Sequence, residues 1–78
     1  MIKLDGGQPL REALAESKLS IAELAQRTRE LDPEHRGVTK STIGHLVSTG
    51  TSERPGCRRR AAGLIAAAVD RPVDALFR

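Results

Sequence analysis

The sequence predicts an all-α fold, a compact bundle of five short helices that forms one domain over residues 1–78. Apolar residues recur at three- and four-residue spacings in most segments, and no segment shows the alternation of a half-buried strand. Phe77 is the only aromatic residue, so the interior must be built mainly from Leu, Ile, Val and Ala, which suits packed helices. A chain of 78 residues buries enough surface for only one small core.

A first helix is expected from about Pro9 to about Lys18. Proline suits the first turn of a helix because its φ is already helical and its missing N–H would have no partner there. The side chains that share one face at helical spacing are Leu10, Ala13 and Leu14. This face is therefore expected to be buried.

A second helix has a clear start signal. Ser20 is followed three residues later by Glu23, the spacing of a capping box, in which each side chain bonds the backbone N–H of the other residue. The helix is expected to run from Ile21 to about Leu31, because the residue before Pro33 is pushed out of helical geometry. Its buried stripe is expected to comprise Leu24, Ala25 and Thr28.

A third helix is expected over about Lys40 to Ser48, with Thr39 as its N-cap and a polar loop before it. Its apolar face is Ile43, Leu46 and Val47. The opposite face is too rich in hydrogen-bonding atoms to be core. That face consists of Lys40, Ser41, Thr42, His45 and Thr49. Gly44 lies on the same side, where it would permit close approach to a partner.

The segment Thr49–Gly56 is the clearest loop, since it is dense in Gly, Pro, Ser and Thr. A fourth helix is expected from about Cys57 to Val69, and a last helical turn from Val73 to Phe77. Leu76 and Phe77 are expected to close the core. The buried side of the fourth helix is expected to be Ala61, Leu64, Ile65, Ala68 and Val69.

The positive charge is concentrated in one third of the chain. The formal net charge is +3, yet residues 35–60 hold six Lys or Arg against one acid, a net +5, which leaves −2 for the rest. The densest part is Arg58-Arg59-Arg60 at the start of the fourth helix. Cations there oppose the helix dipole, so stability does not favour them, whereas phosphate binding would. With Arg54 they are expected to contact a nucleic-acid backbone; the alternative is a solvated charge run.

The sequence gives little support to an enzyme, a metal site or a membrane protein. It has no nucleophile elbow, phosphate loop or paired-carboxylate site, and a core this small is expected to leave no pocket of ~300 Å³ or more. His35, His45 and Cys57 lack zinc-site spacing, so neither metal nor cofactor is expected. Cys57 is expected to be half-buried rather than reactive. A lone cysteine, no leader and no membrane-length apolar run favour a cytoplasmic protein.

Four pieces of the chain, in order, resemble the helix-turn-helix domain of the lambda repressor and Cro class. They are residues 19–25 (LSIAELA), 37–43 (GVTKSTI), 65–69 (IAAAV) and 72–77 (PVDALF). The resemblance implies that the third helix is a recognition helix for the major groove of double-stranded DNA. It also implies a transcriptional repressor of the phage Cro or immunity type in a bacterial cytoplasm. Two departures are the elongated turn from Thr28 to Arg36, and Ile21 where the family often has a Gln.

The residue types support the same interpretation, because side chains in the N-terminal turns of such a helix reach base edges, while cations and hydroxyls contact phosphates. Base contacts are expected from Lys40, Ser41, Thr42 and His45. Backbone contacts are expected from Ser20, Thr39, Thr49, Arg54, Arg58, Arg59 and Arg60.

Two other functions stay open at this point. A protein-interaction module would need a large exposed apolar patch, and an antitoxin-type helical domain would share the same fold. The residues also leave open whether the protein is a monomer, a homodimer or a dimer that forms only on DNA. No small-molecule substrate is expected.

Overall fold

Side-chain capping hydrogen bonds mark the start of two of the four helices. In the computed structural model of the protein, which describes residues 1–50 and 53–78, the four α-helices are α1 (Gln8–Ser17), α2 (Ile21–Leu31), α3 (Lys40–Val47) and α4 (Arg59–Ala68). Ser20 Oγ accepts from the N–H of Glu23 at 3.0 Å, and the Glu23 carboxylate accepts from the N–H of Ser20 at 2.9 Å. The predicted α2 is confirmed, and the other three helices end within two residues of the expected positions.

The all-α class is confirmed, but the count of five helices is not confirmed for the described residues, which hold four α-helices. Two short 3-10 helices, Leu4–Gly7 and Val73–Ala75, accompany the four α-helices. The expected last helical turn is only the second of these, because Phe77 leaves the helical path to pair with Lys3. No helix in the described part of the chain combines the length and apolarity needed to cross a membrane. Thr51 and Ser52, part of the predicted loop, lie outside the described residues.

An extended N-terminal segment lies between the α3–α4 loop and the C-terminal end, which the sequence did not indicate. Ile2 exchanges two backbone hydrogen bonds of 2.7 Å with Arg78. On its other side, the N–H of Lys3 donates to the Pro55 carbonyl at 2.9 Å, and the N–H of Cys57 donates to the Met1 carbonyl at 2.9 Å. This pairing links three distant segments through isolated bridges.

One apolar core holds the helices together. Its largest fully buried side chains include Leu10, Leu24, Ile43, Leu46, Ile65 and Phe77. On α4 the predicted face is partly wrong, because Ala62 and Ala66 are buried while Ala61 and Leu64 are only half-buried. Nearly every residue of this helix is apolar, so the spacing of apolar residues does not define one buried side.

Candidate nucleic-acid interface

Helix α3 presents a polar face to solvent, as predicted. Ile43 and Leu46 are fully buried and fix the helix on the core. On the other side Lys40 and Ser41 are exposed, and Ser41 Oγ lies 3.5 Å from His45 Nε2, so these two side chains share one face at helical spacing. Of the four expected base-contacting residues, Lys40 and Ser41 are therefore exposed, whereas Thr42 and His45 are half-buried.

A cavity of about 280 Å³ lies between the N-terminal ends of α3 and α4. Two of its lining residues are Thr39 and Thr42 on α3. Thr39 Oγ1 caps the helix by accepting from the N–H of Thr42 at 3.2 Å, and it donates to Thr42 Oγ1 at 3.0 Å. The charged residues around the cavity come from three segments of the chain and are Arg36, Arg54, Arg58 and Arg60. None of the described lining residues is acidic, so the cavity is a positively charged recess.

Two of these arginines are available to an external anion. Arg54 and Arg58 are exposed, and within residues 1–50 and 53–78 neither forms an ion pair. Arg36 lies 3.7 Å from Glu34, but both side chains are exposed and such a pair is weak. Arg36 is one of the six cations in residues 35–60, and its sequence context predicted no role for it. An incoming phosphate would therefore displace little internal structure at this recess.

The three consecutive arginines do not act as one cluster. Arg58 is the extended N-cap residue before α4, whereas Arg59 and Arg60 are its first two helical residues and point about 100° apart. Arg58 lines the recess, whereas Arg59 lines a second cavity of about 480 Å³ together with Met1, Gly63, Val73 and Arg78. This larger cavity also shows that the expectation of no pocket above ~300 Å³ was wrong. Arg60 is bonded inside the molecule, to Asp32 at 2.9 Å.

The remaining predicted residues lie outside the recess. Lys40, Ser41 and His45 are on α3 but do not line it, and Thr49 is exposed just beyond the helix. Ser20 lies at the start of α2, where its hydroxyl is used by the capping box. Of the predicted contact residues, the recess thus brings together Thr39, Thr42, Arg54 and Arg58. Arg36, which was not predicted, also lines it, and Arg60 lines it while pairing with Asp32.

The turn before α3 is fixed to the body of α2. Thr28 is fully buried, and its hydroxyl accepts from the N–H of Val38 at 2.9 Å and donates to the Ala25 carbonyl at 2.7 Å. Gly37 has a φ of +65°, and a Cβ there would lie 2.7 Å from the backbone nitrogen of Arg29. Only glycine fits this close approach, so the longer turn has a defined path into α3.

The C-terminal end of α3 is held by cations that sequence analysis did not consider. Lys3 is 4% exposed, and its ammonium donates to the Leu46 carbonyl at 2.8 Å. Arg11 donates to the Val47 carbonyl at 2.9 Å. These carbonyls have no partner within the helix, and a positive charge is favourable at this end of the dipole. Nothing in the local pattern around Lys3 distinguishes it from a solvated lysine.

Cys57 is half-buried, as expected, at the edge of the recess. Burial raises the pKa of its thiol above the ordinary value, outweighing the opposing effect of nearby positive charges. The reactive thiolate form is therefore disfavoured at neutral pH.

Comparison of the chain with profiles of known protein families, with curated proteins and with solved structures gives no match.

Proposed function

We propose that the protein is a lambda-repressor-like helix-turn-helix domain that binds double-stranded DNA in a sequence-specific way. Helices α2 and α3 form the two helices of the motif, and α3 enters the major groove. One observation carries the proposal: the polar first turn of α3 adjoins a positively charged recess whose Arg54 and Arg58 have no ion-pair partner among the described residues. The biological role that fits is a transcriptional repressor of the phage Cro or immunity type, acting in the bacterial cytoplasm.

Base reading is assigned to the exposed start of α3. The Lys40 ammonium suits the guanine O6 and N7 acceptors, and Ser41 and Thr42 can donate to or accept from base edges. His45 extends the same face by one turn. Arg54 and Arg58 bind the phosphates that flank the groove, because guanidinium groups form paired hydrogen bonds with phosphate oxygens. Each group of residues makes a separable contribution to binding.

The test is selection of bound sequences from a random pool of duplex DNA, followed by fluorescence anisotropy over a range of salt concentrations. Arg58→Ala is expected to weaken all duplexes similarly and to reduce the salt slope by about 0.9, the value for one phosphate. Lys40→Ala is expected to relax preference at one position, at a cost of about 1–3 kcal/mol for the selected duplex. Arg59→Ala is the matched control, since this residue lines the other cavity.

Two results would contradict the proposal. One is a wild-type protein that shows no salt-dependent binding to any duplex. The other is an effect of Lys40→Ala that is the same for every sequence, which would mean that α3 is not the reading helix.

The alternative of a protein-interaction module has less support. Among the described residues the large exposed apolar side chains are Ile2, 46% exposed, and Leu31, 49% exposed, which is less than a docking patch needs. An antitoxin-type domain with the same fold would give the same DNA results. Sedimentation with and without the selected duplex distinguishes a monomer, a stable dimer and a dimer that assembles on DNA.

A further inference from the structure

A buried carboxylate ties the turn before α3 together. Asp32, at the C-terminal end of α2, is 4% exposed. One carboxylate oxygen accepts from the N–H of Glu34 at 3.0 Å. The other accepts from the N–H of Gly37 at 2.9 Å and from Arg60 Nη1 at 2.9 Å. Asp32 therefore bonds both a short loop and a residue of α4.

Arg60 completes the same connection from α4. Its second terminal nitrogen, Nη2, donates to the Gly37 carbonyl at 3.0 Å. The N–H and the carbonyl of Gly37 are thus both held by the Asp32–Arg60 pair. Thr39, the cap of α3, follows only two residues later. This pair consequently links the turn before α3 to α4.

The pair persists at neutral pH. The backbone N–H groups of Glu34 and Gly37, followed by the charge of Arg60, lower the pKa of Asp32 below its ordinary value despite its burial. The carboxylate is therefore ionised under the conditions in which a DNA-binding protein works. Arg60 also lines the recess beside Thr39 and Thr42, so two roles have to be distinguished for it.

We propose that the Asp32–Arg60 pair is a positioning device that sets the angle between the base-reading face of α3 and the phosphate-binding arginines Arg54 and Arg58. It rests on the proposed DNA-binding function. Arg60 is then a positioning residue, and its loss reduces discrimination between sequences without removing a phosphate contact. Such a contact is needed because the turn from Asp32 to Thr39 is long, and a longer turn allows more orientations of the following helix.

The experiment measures three variants, Arg60→Met, Asp32→Asn and Arg58→Ala, on the selected duplex and on a scrambled duplex over a range of salt. For Arg60→Met and Asp32→Asn, the ratio of the two affinities is expected to fall about tenfold, comparable to one mismatched base pair, with the salt slope unchanged. Arg58→Ala is expected to do the reverse, reducing the slope by about 0.9 with the ratio unchanged. The Arg60→Met/Asp32→Asn double variant should lose no more discrimination than either single variant.

Asp32→Asn distinguishes a positioning role of Arg60 from a phosphate-binding role, because the two roles predict opposite changes in affinity for the selected duplex. If Arg60 were a phosphate ligand that Asp32 holds back, removing the carboxylate charge would tighten binding to every duplex and steepen the salt slope. That result, or an Arg60→Met variant that loses slope and keeps its discrimination, would overturn the inference. Wild-type protein that binds no duplex would instead overturn the proposed function itself.

A measurement without DNA tests the structural half of the proposal. Arg60→Met is expected to raise the amide hydrogen-exchange rate of Gly37 about tenfold or more, while the amides of α1 keep their wild-type rates. Unchanged exchange at Gly37 would mean that the pair does not hold the turn, and the inference would be wrong.

Discussion

Both ends of α3 are held by cations from distant parts of the chain, but the chemistry differs. At the C-terminal end, Lys3 and Arg11 donate to helix carbonyls at 2.8 and 2.9 Å. At the N-terminal end, Arg60 pairs with a carboxylate, Asp32, in the turn before the helix. Cations favour the C-terminal end of a helix dipole and oppose the N-terminal end. The first contact therefore stabilises the helix directly, whereas the second fixes its position.

The two ends of α3 also show that the cations of this basic chain differ in whether they have a partner within the protein. Lys3, Arg11 and Arg60 are bonded to the protein itself, while Arg54 and Arg58 have no ion pair among the described residues. Net charge alone therefore overstates the number of cations available to an anionic partner. What decides the role of each cation is whether a carbonyl or a carboxylate of the fold lies within reach.

The largest effect is expected at the C-terminal end of α3. Lys3→Met keeps an apolar stem of similar length but leaves the Leu46 carbonyl without its buried donor, so the free energy of unfolding should fall by about 2 kcal/mol. Urea unfolding at neutral pH measures it. Lys40→Met, on the exposed start of the same helix, is the control and should stay within about 0.5 kcal/mol of wild type. Equal stability of both variants would mean that Lys3 does not cap α3.

The same contrast explains what could be predicted from sequence. The start and end of α2 follow from Ser20, Glu23 and Pro33, which act within a few residues of chain, and these positions were predicted correctly. The buried state of Lys3 depends on pairing with segments more than fifty residues away, and no local pattern encodes that. The exposure of Lys40 and Ser41 on α3 was likewise predicted from periodicity, although Thr42 and His45 of the same predicted face are half-buried.

The errors in the candidate site have a physical cause. The three arginines form one continuous basic run in the sequence, but Arg58 is an extended N-cap residue and Arg59 begins α4, and the two line different cavities. Arg60 has a partner, Asp32, that is 28 residues away. The sequence places all three arginines in one basic window, and only the folded geometry separates their surroundings.

A smaller effect is expected at the N-terminal end of α3, and it depends on pH. Arg60 is 44% exposed, so solvent screens its pairing with Asp32. Because the folded-state pKa of Asp32 is lowered, its contribution is present above the ordinary value of 3.8 and lost as the pH falls through the folded-state pKa. Wild type should therefore be more stable than Asp32→Asn at pH 7, with the difference shrinking in acid. The main contacts of Lys3 are hydrogen bonds to backbone carbonyls, which carry no titratable proton, while Glu53 lies 3.8 Å from its ammonium and is 40% exposed, so that pair adds little. Lys3→Met should therefore keep most of its deficit in acid. A difference for Asp32→Asn that stays constant with pH would contradict the assignment.

The smallest effect is expected at Gly44, a half-buried residue in the middle of α3 between its two anchored ends. A methyl added at Gly44 meets no atom within 4 Å, so Gly44→Ala should raise the free energy of unfolding by about 0.5–1 kcal/mol through helix propensity. Gly63→Ala on α4 meets nothing within 4 Å either and should stabilise similarly. Only the methyl at Gly44 lies on the proposed groove-facing side, so it alone should weaken binding to the selected duplex. If both variants bound DNA as wild type does, the close approach of α3 to the groove would be wrong even though the fold is unchanged.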